Sequence, residues 1–299
     1  MSDLSAMYRT LLFAPAARPE LLRKAQLSDA DAVIFDLEDS VPSNAKDQAR
    51  ANILEAFAQQ LTKPVFVRIN GAATADFTND LTALSTARSL ENVKGVILPK
   101  AETSAEIKSL AQHLANVEQK VKLAPDSLSI VPLIETCLGL RHAYEMASTS
   151  SRVRGVALAS AEQGDFMVDL GGRWTPNGHA LLYPRSKLVV DARAAGVSWV
   201  IDGVFMNMGA NDLLRQECEI ARELGYVGKM AIHPTQLPVI HEVFSPSPEE
   251  VEFARGLIKA FREAESRGLG AVRYQGMMVD YANLKLAQRT LALAGVDAC

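Results

Sequence analysis

Eight short apolar runs, each followed by a stretch of helical periodicity, constrain this chain more than any other feature in it. In order they are Thr10–Ala14, Ala32–Leu37, Pro64–Ile69, Gly95–Leu98, Ser129–Ile134, Gly155–Ala159, Trp199–Val204 and Lys229–Ile232. Near-continuous runs such as AVIFDL and SIVPLI suit a parallel sheet covered on both faces, whereas a sheet with one wet face alternates. Eight strand–helix units in succession close most naturally into an α/β fold, the (β/α)8 TIM barrel. A doubly wound open sheet is the rival. It usually has fewer strands and opens on a glycine-rich turn, and APAARPE after the first run is not GxGxxG. The intervening helices are expected to include Ser104–Val121, Leu138–Ser148, Leu181–Ala195 and Asp212–Leu224.

A chain of 299 residues is long enough for one large core. Residues 1–243 read as the catalytic barrel and residues 244–299 as a C-terminal extension. In the extension, PSPEEVEFARGLIKAFREAE reads as an amphipathic helix, capped by Ser247 and led by glutamates that favour its positive end. RGLGAVRYQGMMVD reads as a loop or short hairpin, and YANLKLAQRTLALAG as a final helix. This tail is too small for a core of its own and is expected to be a lid or an arm packed on a neighbouring subunit.

The net charge of −4 and the isoelectric point near 5.8 argue against a nucleic-acid surface, which needs a basic excess. Cys137, Cys218 and Cys299 stand far apart, so neither a zinc knuckle nor a disulfide framework is expected. The N-terminal MSDLSAMYRT is too polar for a signal peptide, and no apolar run approaches the ~18 residues of a membrane span. A reducing, cytoplasmic setting fits best.

In such a barrel the ligand site is built from the C-terminal ends of the strands, so the candidates are few. The second run ends in Asp36, Glu38 and Asp39, the third in Arg68 and Asn70, the fourth in Lys100 and the fifth in Glu135. The turn after the sixth carries Asp165, the seventh run carries Asp202, and His233 follows the eighth. Glu135 and Asp165 form a pair of hard oxygen ligands, and two carboxylates plus water and substrate oxygens is a usual way to hold Mg²⁺. No His or Cys stands beside them, which disfavours zinc. Each acid could equally cap the helix after it or pair with a basic neighbour, and spacing leaves both readings open. Arg68 offers a planar fork suited to a carboxylate, with a salt bridge to the acids of DLED as the alternative. Asp36, Glu38 and Asp39 cannot all be ligands. At least one is expected to hold a metal-bound water or to orient Arg68 or Lys100 from behind. Lys24 reads as a solvated helix lysine, and His233 as a structural residue of the rim. Nothing in the spacing of Asp280, behind the Met277–Met278 pair, marks it out.

Taken together, TLLFAPAARPELLRKA, AVIFDLEDSV, VRIN, GVILPKAET, PLIET, GDFMVDLG, YPRSKLVV, IDGVF, GYVGKMAIHPTQ, FSPSPEEVEFA and QGMMVD resemble the citrate lyase β-subunit-like lyases of the HpcH/HpaI aldolase superfamily, from about Thr10 to Leu293. These include malyl-CoA and citramalyl-CoA lyases. The resemblance implies a (β/α)8 barrel with a C-terminal lid, assembled as a homotrimer or a multiple of one. It implies Mg²⁺ on Glu135 and Asp165, with Glu135 also on the substrate side. It implies that Arg68 grips the carboxylate of a 2-oxo acid, and that a coenzyme A thioester lies along Lys24, Ile201 and Asp202 with Phe13 near its entrance. Asp280 matches the family's catalytic acid, which reaches the site of a neighbouring subunit. Two departures stand out: Pro15–Ala16 where relatives often have PG, and SAEQGD where they usually have GxED. Counting back from DLG puts Asp165, not Glu162, on the metal.

The implied reaction cleaves a carboxylated 3-hydroxyacyl-CoA to acetyl-CoA and pyruvate or glyoxylate. Close alternatives are a citrate lyase β subunit acting on a citryl thioester and an aldolase acting without coenzyme A. A non-catalytic barrel module is the alternative of another class.

Overall fold

The structure, a computed structural model, describes residues 7–296. Cys299 and the first six positions of the polar N-terminal segment lie outside the described residues. Eight parallel strands close into one barrel in sequence order: β1 Thr10–Pro15, β2 Ala32–Asp36, β3 Val65–Arg68, β4 Val93–Leu98, β5 Ser129–Ile134, β6 Gly155–Leu158, β7 Trp199–Asp202 and β8 Gly228–Ala231. β1 pairs with β8 to complete the ring. All the apolar runs are strands, and β2 and β5 are buried at every position, as residues covered on both faces must be.

The connecting helices are α1 Pro19–Gln26, α2 Lys46–Phe57, α3 Ala75–Leu84, α4 Ser104–Val121, α5 Cys137–Arg141, α6 Ala143–Ser148, α7 Asp165–Leu170, α8 His179–Ala194, α9 Asn211–Glu223 and α10 Leu237–Phe244. α4 begins on a reciprocal cap in which the Thr103 hydroxyl accepts from Glu106 N–H and the Glu106 carboxylate accepts from Thr103 N–H. The single helix expected over Leu138–Ser148 is instead two short ones. The chain breaks at His142, whose Nδ1 lies 2.9 Å from the Glu102 carbonyl, a tertiary bond that local periodicity does not reveal.

The described chain divides into two compact units, Tyr8–His241 and one that runs from Glu242 onward. The second holds α11 Pro248–Glu265, a hairpin of β9 Val272–Tyr274 and β10 Met277–Val279, and α12 Tyr281–Leu293. Ser247 caps α11 as its sequence implies. The expectation that this tail lacks a core is corrected. Leu257, Ile258, Phe261, Val279 and Leu291 bury one another in a small apolar cluster, because α11 and α12 each present an apolar stripe that neither can hide alone.

Candidate active site

A cavity of about 410 Å³ opens at the C-terminal ends of the strands. Residues two apart on one strand, Phe13 and Pro15, Leu133 and Glu135, Met230 and Ile232, line it together, as the two-residue period of a strand requires. Strand register then sets the polar side. Asp36 stands directly opposite Arg68 across the β2–β3 pair. Arg68 Nε donates to Asp36 Oδ1 at 2.6 Å and Nη2 to Oδ2 at 2.7 Å, a two-point clamp. The guanidinium also lies over the Phe13 ring, 4.8 Å from its centroid. Both alternatives for Arg68 are therefore compatible. It pairs with DLED, yet of its five N–H donors the clamp uses two, and the group still faces the cavity.

A second chain of charge runs around the rim. Arg68 Nη1 lies 2.9 Å from Glu38 Oε2, a charge contact without hydrogen-bond alignment, so that buried oxygen accepts no hydrogen bond among the described residues. Lys100 Nζ is 3.2 Å from Glu38 Oε1, 3.8 Å from Asp39 Oδ1 and 3.0 Å from Asp165 Oδ2. Lys100 adopts φ 50°, a left-handed backbone that costs a non-glycine residue free energy and turns the chain immediately after β4. Behind this rim, Lys46 Nζ donates to the carbonyls of Leu37 and Glu38 and to Asn70 Oδ1, which pins the DLED turn to β3.

Electrostatics divides the carboxylates. Burial pushes Asp36 upward, but the hydrogen bonds and charge of Arg68 outweigh it and hold the acid below its usual range. Glu38 is raised by burial, against the attraction of Arg68. Glu135 is pushed up to about 8, first by burial and then by the charge of Glu38, with Arg68 and Lys100 opposing. It is 4% exposed, and its carboxylate accepts no hydrogen bond among the described residues. Burying a carboxylate in this way is costly unless a cation arrives.

These residues suit a hard divalent cation. Asp36, Glu38, Asp39, Glu135 and Asp165 set five carboxylates around the mouth against two cations, Arg68 and Lys100. Glu135 and Asp165 face the cavity from adjacent strand ends, and all the donors are oxygen. No group of three or more His, Cys, Asp and Glu is placed to hold a metal among the described residues. A two-carboxylate magnesium site does not need one, since Mg²⁺ keeps several waters.

Residues 9–234 match the HpcH/HpaI aldolase/citrate lyase family. The chain belongs to this family. Its relatives span nearly its whole length. A citrate lyase subunit beta of Leuconostoc mesenteroides subsp. cremoris is 33% identical over 291 residues, covering 97% of this chain and 94% of the relative. A (3S)-malyl-CoA thioesterase of Cereibacter sphaeroides (strain ATCC 17029) is 34% identical over 297 residues, covering 98% and 97%. Among solved structures, the protein CitE from Mycobacterium tuberculosis, in complex with magnesium, acetoacetate and coenzyme A, aligns with a TM-score of 0.74 at 30% identity, covering 97% of this chain and 99% of that one.

For a member of this family, the candidate residues fall into three groups. Phe13, Asp36, Asp39, Arg68, Glu135 and Asp165 line the one cavity, with Glu38 and Lys100 bonded to them from behind. Ile201 and Asp202 do not line it; both are fully buried. Asp202 accepts from Ser160 Oγ at 2.8 Å, from Arg185 Nε and Nη2 at 3.0 Å each and from Lys229 Nζ at 2.7 Å, so its side chain has no lone pair to offer a thioester. Neither Ile201 nor Asp202 therefore reaches the cavity with its side chain. Their neighbours Gly203 and Val204 line the cavity instead. Lys24 is exposed in the last turn of α1 and stands apart from the cavity lining. Asp280 belongs to the second unit, where Oδ1 accepts from Ala282 N–H at 2.8 Å and caps α12. His233 caps the short turn Pro234–Gln236, a structural role.

Gly203 was not singled out by sequence reasoning. A Cβ there would stand 2.4 Å from Ser160 N and 2.6 Å from the Leu158 carbonyl, so only glycine lets the β6 and β7 ends approach. The IDGVF motif carried this signal. Glu162 is exposed and absent from the lining, while Asp165 is in it.

Proposed function

We propose that this chain is a magnesium-dependent carbon–carbon lyase, which cleaves citramalyl-CoA or malyl-CoA to acetyl-CoA and pyruvate or glyoxylate. The observation that carries the proposal is the pairing of Glu135, buried and without a hydrogen bond among the described residues, with Asp165 across a cavity that Arg68 also faces. Glu135 and Asp165 would hold Mg²⁺, which when bound supplies Lewis-acid polarisation of the substrate's hydroxyl and carboxylate oxygens. Arg68 uses the N–H groups not spent on Asp36 to fix the carboxylate of the oxo-acid half, and Asp36 keeps the fork from rotating. The apolar wall of buried Leu133 and Met230 and half-buried Ile232 excludes water from the enolate of the departing acetyl-CoA. Asp280, delivered by a neighbouring copy in a homotrimer, donates the proton to that enolate's carbon as general acid. In this arrangement the unit from Glu242 onward serves as lid or arm, and Lys24 offers an exposed ammonium to the coenzyme's phosphates.

A second reading is favoured by the Cereibacter relative, whose name is that of a thioesterase. Hydrolysis of the thioester would release free coenzyme A and the hydroxy diacid. A third, favoured by the Leuconostoc relative, is cleavage of a citryl thioester to oxaloacetate. One experiment separates all three. The purified chain is incubated with Mg²⁺ and malyl-CoA, citramalyl-CoA or citryl-CoA, and the products are resolved by mass. Acetyl-CoA with pyruvate or glyoxylate supports the lyase proposal. Free thiol with malate or citramalate, or cleavage of citryl-CoA only, to acetyl-CoA and oxaloacetate, refutes it.

A further inference from the structure

Lys100 is held in an unusual way for a rim lysine. Its backbone is left-handed at φ 50°, and its ammonium sits among three carboxylates, 3.0 Å from Asp165, 3.2 Å from Glu38 and 3.8 Å from Asp39. The side chain is 44% exposed, so burial does not force these contacts. Without Lys100 the mouth would hold five carboxylates against the single guanidinium of Arg68. Asp165 therefore already has a cation, whereas Glu135 has no hydrogen-bonded partner among the described residues. A divalent ion that takes both acids must compete with Lys100 for one of them.

We propose that Lys100 is a built-in counter-cation of the mouth: its ammonium holds Asp165 until a divalent ion arrives, and the ion then displaces it onto Glu38 and Asp39. This rests on the reading of Glu135 and Asp165 as the metal pair. Two consequences follow from charge alone. The lysine weakens metal binding, because the ion must break the Lys100–Asp165 pair and then sit beside a like charge. It also keeps Asp165 on the cavity side when no metal is bound, so the site is assembled before the ion enters. Glu38 suits the receiving role, since its Oε1 already lies within reach of Nζ.

The test is Mn²⁺ binding, read from the loss of the free-ion electron paramagnetic resonance signal, for the full-length parent and for Lys100→Met, Lys100→Gln, Lys100→Arg and Glu135→Gln. Circular dichroism checks that each is folded, and the two neutral variants guard against one failing to fold. Lys100→Met and Lys100→Gln are expected to bind Mn²⁺ at least about fivefold more tightly, the effect of one unit charge ~4 Å away even in bulk water. Lys100→Arg is expected to stay at the parental affinity. If the neutral variants bind no more tightly while Glu135→Gln loses binding, the role of Lys100 is overturned and the metal pair stands. If Glu135→Gln binds as the parent does, the metal pair itself fails and this inference falls with it.

Discussion

Glu135→Gln in the metal-free protein isolates the cost of burying this carboxylate. The substitution keeps the size of the side chain and removes its charge. In the unfolded chain Glu135 titrates near its ordinary 4.5; folded, it is pushed up to about 8, mainly by burial. Between these values the folded protein holds a proton that the unfolded chain has released. Stability therefore falls as pH rises through that window, and the loss is complete above about 8. At about 1.4 kcal/mol per tenfold change in proton affinity, the ceiling is roughly 5 kcal/mol. Relaxation and water entry reduce it, and ~1–3 kcal/mol is the expected gain for the variant at alkaline pH. The assay is thermal unfolding of both proteins in chelator from pH 5 to 9. At ~2–4 °C per kcal/mol for a unit of this size, the variant should melt a few degrees higher at pH 9 and level with the parent near pH 5. A gap that does not change with pH, or a variant that melts lower at pH 9, refutes the reasoning.

Other substitutions probe the remaining groups. The parent's affinity for Mg²⁺ should fall up to tenfold per pH unit below about 8, as a proton competes for Glu135, which titration calorimetry would follow. Arg68→Lys loses the two-point clamp on Asp36, and KM for the thioester should rise at least about tenfold, the worth of one charged hydrogen bond. Asp280→Asn keeps a good cap on α12, so melting should hardly move while turnover drops about 10²–10⁴-fold. Asp202→Asn leaves Arg185 and Lys229 short of one buried partner charge, and urea unfolding should show a loss of about 3–5 kcal/mol.

The barrel was legible because a strand covered on both faces needs an unbroken apolar run, and each of the eight runs is one, with ends off by a residue or two. The missed features depend on contacts between distant segments. The break at His142 comes from a bond to Glu102, and the core of the tail comes from α11 and α12 meeting. At the site, Asp36, Arg68 and Glu135 could be placed because they end strands, where period and register put them on one mouth. Asp202 also ends a strand, yet it does not line the cavity. Its partners Arg185 and Lys229 come from the YPRSK helix and the start of the eighth run, far apart in sequence, so nothing local tells that all three charges are buried together. Lys100 adopts a left-handed turn that normally announces itself as glycine, and a lysine there gives no such sign.

Whether Glu135 and Asp165 share one ion is open to direct sight. Crystals grown with Mn²⁺ and pyruvate, measured at the manganese edge, should show one anomalous peak at the barrel mouth, within about 2.0–2.2 Å of an oxygen from each acid and beside a carboxylate facing Arg68. A peak that touches neither acid, or a mouth with pyruvate on Arg68 and no peak at all, would contradict the account.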